Sequence, residues 1–289
     1  MKKVNEGNIC TARVTRAWLN QPGVLQAEIT SETEFITTGQ ERRDHFNSAS
    51  KSWLQRQLQL WQEQTSNSVK VAAPGHPLEI ICGDCCLILK IEGIRYIVST
   101  YRDIMPQGWL IPGGVPDNIE QLFSPKEIAE KEVAEEILIG DIHNRVYFLQ
   151  SRQETEINIE KWGLKPTAMI PLSIKELTWK NKGDAQTLLL KTPDRQVRLD
   201  DVVIFIDPEI ASAVLTLYWE IEIPFSLKEL RLFDGESHWE HPDISLNRVI
   251  RLVPVGREKP VAIFSSGQNI LGEGWITETT KKQALQEKS

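Results

Sequence analysis

The segment from Trp109 to Leu138 constrains the fold most, because it indicates a strand, a sharp turn and a helix in direct succession. Trp109-Leu110-Ile111 is a short apolar run typical of a strand, and Pro112-Gly113-Gly114 stops it. Ser124-Pro125-Lys126-Glu127 then carries three signals for a helix start: a serine cap, a proline at the first helical position and a glutamate that closes a capping box. We therefore predict a strand–turn–helix unit whose helix runs to Leu138.

The predicted helix carries closely spaced glutamates on one flank. Its buried face is indicated by apolar residues at helical spacing, namely Ala129, Val133 and Ile137. Glu132 and Glu136 are four residues apart, so their carboxylates lie one above the other, and Glu135 is adjacent. Charge runs of this kind are most often solvated surface. The same arrangement also suits a hard divalent cation, because Mg²⁺ is held by carboxylates together with substrate phosphates.

These features together resemble the Nudix box of the Nudix hydrolase superfamily. That box runs glycine, five residues, glutamate, seven residues, Arg-Glu, an aliphatic residue, any residue, Glu-Glu, any residue, glycine and an aliphatic residue. In this chain Gly114 matches the first glycine and Glu132 matches the glutamate of Arg-Glu. Glu135 and Glu136 match the paired glutamates, and Ile139 matches the last aliphatic residue.

The resemblance implies a role for each matched residue. Glu132, Glu135 and Glu136 are expected to be the catalytic residues and the metal ligands, with Mg²⁺ or Mn²⁺ as the cofactor. The expected substrate-binding residues around them are Arg102, Gly113, Gly114 and Lys131. Arg102 precedes the predicted strand of Trp109 and would meet a phosphate as a bidentate donor, although an ordinary surface arginine fits this position equally well.

The chain also departs from the box in its scaffolding. Lys131 stands where the family has arginine, and lysine lacks the planar two-pronged grip that orients a carboxylate. The loop before the helix is longer than the pattern, so the first glutamate of the box falls at Phe123, with Glu120 nearby. Leu138 replaces the late glycine. The acidic triad is intact, which fits either an enzyme with an unusual substrate or a module that binds without cleaving.

The resemblance further implies a fold and a reaction. The fold class is α+β, as a Nudix-type α/β/α sandwich with a mixed sheet, an N-terminal extension and an insertion. The expected activity is metal-dependent cleavage by water of the pyrophosphate bond in a nucleoside diphosphate linked to another moiety. The alternative is a non-catalytic Nudix-like module that senses a nucleotide. A weaker alternative is an interaction protein that acts through its N-terminal helix and its insertion.

Three segments are expected along the chain. Residues 1–76 form an N-terminal extension, residues 77–255 a Nudix-like domain with an insertion near 151–200, and residues 256–289 a C-terminal strand and tail. The polar, turn-rich composition of 151–200 gives no clear element.

Local patterns within these segments predict particular elements. Ile9–Trp18 and Val24–Ile29 indicate a hairpin, and Ser48–Trp61 indicates an amphipathic helix. Cys85–Ile91 and Ile94–Thr100 indicate a second hairpin that turns at a glycine. The cysteines at its start are expected to be buried strand residues rather than zinc ligands, because the second cysteine pair of a structural zinc site is absent from the sequence.

The composition and charge of the chain narrow the classes of molecule that the protein is expected to bind. The formal net charge is −7, with 40 acidic and 33 basic residues, which argues against a nucleic-acid backbone as the partner. A small nucleotide-type substrate remains compatible, because metal ions neutralise its charge locally. The sequence holds no apolar run long enough to span a membrane and no secretory signal, so we expect a cytoplasmic protein. Self-association into a homodimer stays open.

The general base is left open by the sequence. In the Nudix family it is one of the box glutamates or an acid from a later strand or loop. Glu220, Glu222 and Glu236 are candidates, although each of them fits an ordinary surface acid better. His238 and His241 would supply an imidazole, but two histidines at this spacing in a loop are more often incidental.

Overall fold

The computed structural model describes residues 11–20, 23–36, 48–63, 68–102, 108–116, 118–149, 152–178, 183–235 and 249–271. These residues form an α+β fold that consists mostly of strands, and the described part contains three α-helices and one short 3-10 helix. The predicted α+β class is therefore confirmed. Each described helix is too short or too polar to cross a membrane.

The helices are α1 (Ser48–Glu63), α2 (Pro125–Glu136) and α3 (Arg152–Lys161), and the 3-10 helix spans Ile119–Phe123. The strands are β1 (Thr11–Val14), β2 (Ala17–Asn20), β3 (Val24–Glu28), β4 (Glu34–Ile36), β5 (Val69–Ala72), β6 (Leu78–Ile91), β7 (Ile94–Arg102), β8 (Gly108–Leu110), β9 (Ile137–Asp141), β10 (Arg145–Phe148), β11 (Ala168–Pro171), β12 (Ile174–Glu176), β13 (Thr187–Lys191), β14 (Gln196–Leu199), β15 (Val203–Asp207), β16 (Ser212–Ile223), β17 (Leu230–Asp234), β18 (Ile250–Pro254), β19 (Ala262–Ser265) and β20 (Gln268–Asn269).

The chain divides into two compact units, each assembled from separate stretches. Unit 1 comprises Met1–Cys85, Gly113–Ala129 and Leu177–Tyr218, and unit 2 comprises Cys86–Pro112, Glu130–Glu176 and Trp219–Ser289. Elements β6, α2 and β16 each have their first part in unit 1 and their second part in unit 2. The linear division at residues 76 and 255 stays a prediction.

Unit 1 contains a five-stranded sheet with the order β14-β13-β3-β2-β5, in which only β3 and β13 run parallel. Strands β2 and β3 form the hairpin predicted near the N-terminus, closed by a hydrogen bond from Gly23 N to Asn20 O at 2.7 Å. The first predicted strand is broken before Ala17, because β1 pairs with β4 and β6 while β2 pairs with β3 and β5.

Helix α1 supplies one side of the apolar core of unit 1. Leu54 and Leu58 are buried in that core, and Trp53 and Trp61 pack against it partly buried. Burial of a leucine side chain contributes about 1.5–3 kcal/mol, so the predicted apolar face holds the helix in place. The predicted amphipathic helix is confirmed, and its apolar face is a core face.

Unit 2 contains the predicted hairpin of β6 and β7, which turns through Glu92 and Gly93 at positive φ angles of 50° and 81°. Strand β7 also pairs with β8 and β18, and β19 and β20 follow β18. A separate four-stranded sheet has the order β11-β10-β9-β17. Cys85 and Cys86 are buried, reduced cysteines on β6, as predicted for strand residues.

The stretch 151–200, for which the sequence predicts no regular element, supplies a helix and four strands. Helix α3 and strand β11 belong to unit 2, where β11 runs parallel to β10. Strands β13 and β14 belong to the five-stranded sheet of unit 1. This stretch therefore completes a sheet in each unit.

Candidate functional site

Helix α2 begins where the sequence predicts and ends two residues early. It starts at Pro125, and the Ser124 carbonyl accepts hydrogen bonds from the backbone N–H groups of Glu127 (2.9 Å) and Ile128 (3.4 Å). It ends at Glu136 instead of Leu138, because Ile137 opens β9 and pairs with Asp234 of β17. A β-branched residue at this point favours the extended chain of the sheet.

The three expected glutamates lie on the last turns of α2, in unit 2, with different exposures. Glu136 is buried at 5% exposure, and Glu132 and Glu135 are partly buried. The Lys131 ammonium lies 3.7 Å from Glu135 Oε1, one helical turn away. Lys131, expected to bind substrate, is thus engaged with one of the expected metal ligands. Such a partly exposed pair contributes at most about 1 kcal/mol, so a stronger ligand can replace it.

A ready-made metal cage is not formed. Among the residues that the structure describes, no three His, Cys, Asp or Glu side chains are arranged to hold a metal ion. The three glutamates therefore do not fit a site built from protein ligands alone. Mg²⁺ usually takes one or two carboxylates, several waters and the substrate phosphates instead of an all-protein cage.

The C-terminal end of α2 is closed by side-chain and backbone donors from unit 2. Asn158 Nδ2 donates to the carbonyls of Ala134 and Glu135, each at 2.8 Å, and Gly235 N donates to the Glu136 carbonyl at 2.8 Å. These contacts satisfy three of the carbonyls that a helix leaves without an internal partner. Asn158 is 1% exposed, and within the described part of the chain its Oδ1 accepts no hydrogen bond.

A lysine lies at the same end of α2. Lys161 Nζ donates to the Gly235 carbonyl at 3.1 Å. Burial lowers the pKa of Lys161, while Glu135, Glu154 and Asp234 act in the opposite direction and favour its charged form. No local sequence signal pointed to Lys161 or Asn158, because both fall in the polar stretch without a predicted element.

Gly235 permits this close packing. A Cβ atom at this position would lie 1.7 Å from the Glu135 carbonyl oxygen and 2.7 Å from the Asn158 amide nitrogen. Real side chains never approach backbone atoms so closely, so only glycine fits here.

The expected glycines belong to unit 1, whereas the three glutamates belong to unit 2. Gly113 pairs with Asp84 of β6, and a Cβ at Gly113 would lie 2.2 Å from Asp84 Oδ1, so position 113 requires glycine. Gly114 is partly buried in the loop that follows. Burial raises the pKa of Asp84 to about 7. Asp84 is thus an acid of unit 1 that titrates near neutrality, and the sequence did not single it out.

Trp109 takes part in a cation–aromatic contact within unit 2. The Arg251 guanidinium lies 4.1 Å from the centre of the Trp109 ring, and Tyr101 meets that ring edge-on at 5.3 Å. Arg251 Nε donates to Ser99 Oγ at 2.9 Å, which fixes the guanidinium plane. Arg102 is the last residue of β7, and its side chain lies outside the described residues. Arg251 was missed because β18 is distant from Trp109 in the sequence.

Two of the candidate general bases, Glu220 and Glu222, lie among the described residues. Burial acts to raise the pKa of Glu220, but its hydrogen bond with Arg95 and the nearby Lys175 outweigh burial and lower that pKa. Glu220 is thus held as a structural anion. Glu222 is exposed and pairs with Lys90 at 3.0 Å. The remaining candidates lie outside the described residues, namely Glu236, His238 and His241.

Comparison of the chain with protein-family models, with curated proteins and with solved structures finds no match. The resemblance of Gly114 to Ile139 to a Nudix box therefore rests on the residues of the motif and on the helix that carries them.

Proposed function

We propose that the protein is a Nudix-type pyrophosphohydrolase with a Nudix-type sandwich, which cleaves a nucleoside diphosphate linked to another moiety in the presence of Mg²⁺ or Mn²⁺. The observation that carries the proposal is the placement of Glu132, Glu135 and Glu136 on the last turns of α2, the helix expected from the motif. Glu136 is only 5% exposed. A buried carboxyl at a position that the motif assigns to a metal ligand is compatible with the proposal.

The chain itself contributes three carboxylates at one end of a helix. The three glutamates would hold the divalent cation together with the oxygens of the diphosphate. When bound, the cation lowers the pKa of the attacking water and neutralises charge on the reacting phosphate. The packing of Asn158 and Gly235 on the last carbonyls of α2 fixes the helix end, so the carboxylates have a rigid base.

In unit 2 the proposal takes Arg102 and Lys131 as substrate-binding residues, and the structure adds one more. Gly113 and Gly114, the other residues expected from the motif, belong to unit 1. Arg251 adds a guanidinium that stacks on Trp109. An arginine suits a phosphate and an indole suits a nucleobase, so this pair fits a nucleotide better than an inorganic diphosphate.

The test is an assay of the full chain with Mg²⁺ or Mn²⁺ and a panel of nucleotide sugars, dinucleoside polyphosphates and nucleoside triphosphates, with products separated by chromatography. We expect metal-dependent release of a nucleoside monophosphate that stops on addition of a chelator. Glu136→Gln should lower turnover by at least about 100-fold, because loss even of a residue that only orients a metal ligand lowers activity by about 10–100-fold. Glu127→Gln is the matched control, because Glu127 is an exposed glutamate on the first turn of the same helix. Equal activity of the two variants would contradict the proposal.

A second candidate is the non-catalytic sensing module. It is favoured by the lack of a three-ligand metal group among the described residues and by the contact between Lys131 and Glu135. It predicts that calorimetry detects binding of a panel member while the same ligand remains intact after prolonged incubation with metal. If the protein neither binds nor hydrolyses any member of the panel, the remaining alternative is that it is an interaction protein.

A further inference from the structure

Strand β6 changes partners around Asp84. It pairs with β1 at Leu78–Ile80 and with β7 at Ile88–Ile91. Between these two stretches Asp84 forms an isolated antiparallel bridge with Gly113. The contact between β6 and Gly113 is therefore held by one residue pair instead of a ladder of hydrogen bonds, so the packing of the Asp84 side chain decides whether it persists.

The Asp84 side chain lies directly on Gly113. A Cβ atom at position 113 would overlap Asp84 Oδ1 and would lie 2.7 Å from Asp84 Cα. An approach this close leaves no room for a water molecule between the carboxyl oxygen and the backbone of Gly113. On this side the carboxyl group therefore loses its hydration, which costs little for the neutral acid and much for the carboxylate.

The residue before Asp84 fixes β6 on helix α2. Gly83 has a φ of +107°, and a Cβ atom there would lie 2.8 Å from Ile128 Cβ and 3.3 Å from Ala129 N. Both the left-handed backbone and the close approach require glycine. Gly83 and Asp84 thus contact α2 and Gly113 from adjacent positions, all within unit 1. The contact at Gly83 involves no ionisable group, whereas the contact at Asp84 does.

Among the described residues no donor compensates the Asp84 carboxylate. Burial alone raises the pKa of Asp84 to about 7, without a hydrogen bond or a neighbouring charge that lowers it. Asp184, another acid of unit 1, accepts a hydrogen bond from Ile206 N at 2.6 Å, and this bond lowers its pKa against the effect of burial. Asp84 therefore differs from Asp184 in having nothing that favours its ionised form in place.

The ionisable groups on the adjoining elements do not change this. On the described parts of these elements in unit 1 they are Arg13 on β1, Lys126 and Glu127 on α2, and Tyr218 on β16. Arg13 pairs with Glu34 at 3.3 Å, and Lys126 and Glu127 are exposed. None of these groups acts on the pKa of Asp84.

We propose that Asp84 makes the contact between β6 and Gly113 sensitive to pH: the protonated carboxyl packs on Gly113, and ionisation of the carboxyl breaks this contact. The carboxylate gains hydration only when Gly113 moves away from it. Gly83 stays packed on Ile128, because neither residue carries a charge. The proposal does not depend on the proposed function, since the device needs neither metal nor nucleotide.

The test follows amide hydrogen exchange by nuclear magnetic resonance on the full chain between pH 4.5 and 7.5. The Asp84 pKa is about 7 in the contact and returns to the model value of 3.8 once the carboxyl is hydrated. Between these values each pH unit favours the open contact by up to about tenfold, and above pH 7 the effect levels off.

We expect the protection of the Asp84 and Gly113 amides, corrected for the intrinsic exchange rate, to fall by at least about tenfold from pH 5 to pH 7. The amide of Ile204 should keep its protection, because it donates to Ala185 at 3.0 Å in the isolated bridge beside Asp184, whose carboxylate has a donor. An equal fall at Ile204, or no fall at Asp84 and Gly113, overturns the proposal.

Two variants separate the charge of Asp84 from its shape. Asp84→Asn keeps the shape and cannot ionise, so the protection of Gly113 should no longer depend on pH. Asp184→Asn is the matched control, because it removes a partly buried acid of the same unit, and it should keep the response of the wild type. A pH dependence that persists in Asp84→Asn overturns the proposal.

A measurement on the wild type keeps the test decisive if Asp84→Asn does not fold. The carboxyl carbon of Asp84 should titrate with a midpoint well above 3.8, and the protection of Gly113 should fall over the pH range between the two pKa values. An Asp84 midpoint close to 3.8 overturns the proposal, because the carboxyl would then be hydrated while it contacts Gly113.

Discussion

The two units bury acidic side chains to different extents. Unit 1 has an apolar core and exposed ion pairs, such as those of Lys51 with Glu209 and Arg195 with Glu120. Among the described residues, unit 1 has one almost fully buried carboxyl group, that of Glu79, and two less buried ones, Asp84 and Asp184, whose pKa values burial raises. Unit 2 has four almost fully buried carboxyl groups, namely Glu136, Asp141, Glu220 and Asp234. A buried charge costs stability unless partners compensate it, so unit 2 has a reason to retain these residues beyond packing.

The buried acids of unit 2 fall into two kinds. Asp141 and Glu220 each have an arginine partner, Arg145 and Arg95. Glu136 and Asp234 lie where α2 meets β17, and Glu136 is one of the glutamates for which we propose a function. Four predictions test this contrast.

The largest loss in the free energy of unfolding is expected from Gly235→Ala in unit 2. The added methyl group would overlap the Glu135 carbonyl and crowd the Asn158 amide, so the end of α2 and Asn158 must move away from position 235. We expect a loss of about 4 kcal/mol in the free energy of unfolding, measured with urea. Gly163→Ala is the control, because position 163 has a φ of +58° but nothing within 4 Å, and should cost about 1 kcal/mol. Equal losses would contradict the described packing.

Asp141→Asn should show the next largest effect, with a characteristic pH dependence. Burial acts to raise the pKa of Asp141, but hydrogen bonds from Arg145, Tyr147 and the His143 backbone outweigh it and lower the pKa below 3.8. The carboxylate therefore adds stability above about pH 4, and this stability is lost as the pH falls through the folded-state pKa. We expect a loss of about 2 kcal/mol at pH 7 that shrinks in acid.

The control for that prediction is Asp207→Asn in unit 1, where the carboxylate accepts from the Glu209 backbone at 2.7 Å in an exposed turn. Urea unfolding between pH 3 and 8 would detect a difference. A loss for Asp141→Asn that is independent of pH would show that its charge is not responsible.

Asp84→Asn in unit 1 should increase the free energy of unfolding instead of lowering it. Burial raises the pKa of Asp84 from 3.8 to about 7, so the wild type loses stability as the pH rises through that range. We expect the variant to be more stable than the wild type by about 1 kcal/mol at pH 8, and the gain to vanish towards pH 4. The gain in the free energy of unfolding stays this small because the Asp84 side chain is partly exposed and its charge is partly hydrated. If Asp84→Asn were less stable than the wild type at pH 8, the buried charge of Asp84 would not be destabilising, and the contrast between the acids of the two units would fail.

The smallest effect is expected from Arg195→Ala in unit 1. Its guanidinium lies 3.6 Å from the centre of the Phe123 ring and 2.9 Å from Glu120, but both charged side chains are at least 40% exposed. Exposed pairs of this kind contribute about 0.5 kcal/mol. Urea unfolding at low and high salt measures the effect, and a loss above about 2 kcal/mol would mean that this pair is structural after all.

The sequence predicted elements that have a local signal. The amphipathic face of α1, the glycine turn between β6 and β7, and the Ser124-Pro125 start of α2 all appear within a few residues of their predicted places. Each of these signals depends on periodicity or turn chemistry over a short window, and the structure preserves it.

Elements without a local signal could not be predicted. Helix α3 buries Thr155 and Asn158, so its inner face is polar and its sequence has no apolar period. The end of α2 was placed at Leu138 because pairing of Ile137 with β17 is a long-range contact. The position of Lys161 beside Gly235 and the stacking of Arg251 on Trp109 are likewise tertiary contacts between distant segments.

The most direct test of the account is a crystal structure with Mn²⁺ and a non-hydrolysable nucleoside diphosphate derivative, with anomalous data collected at the manganese edge. The account predicts an anomalous peak at about 2.2 Å from carboxylate oxygens at the end of α2, with Glu136 among its ligands. A peak elsewhere in the protein, or bound nucleotide with no metal at α2, would contradict it.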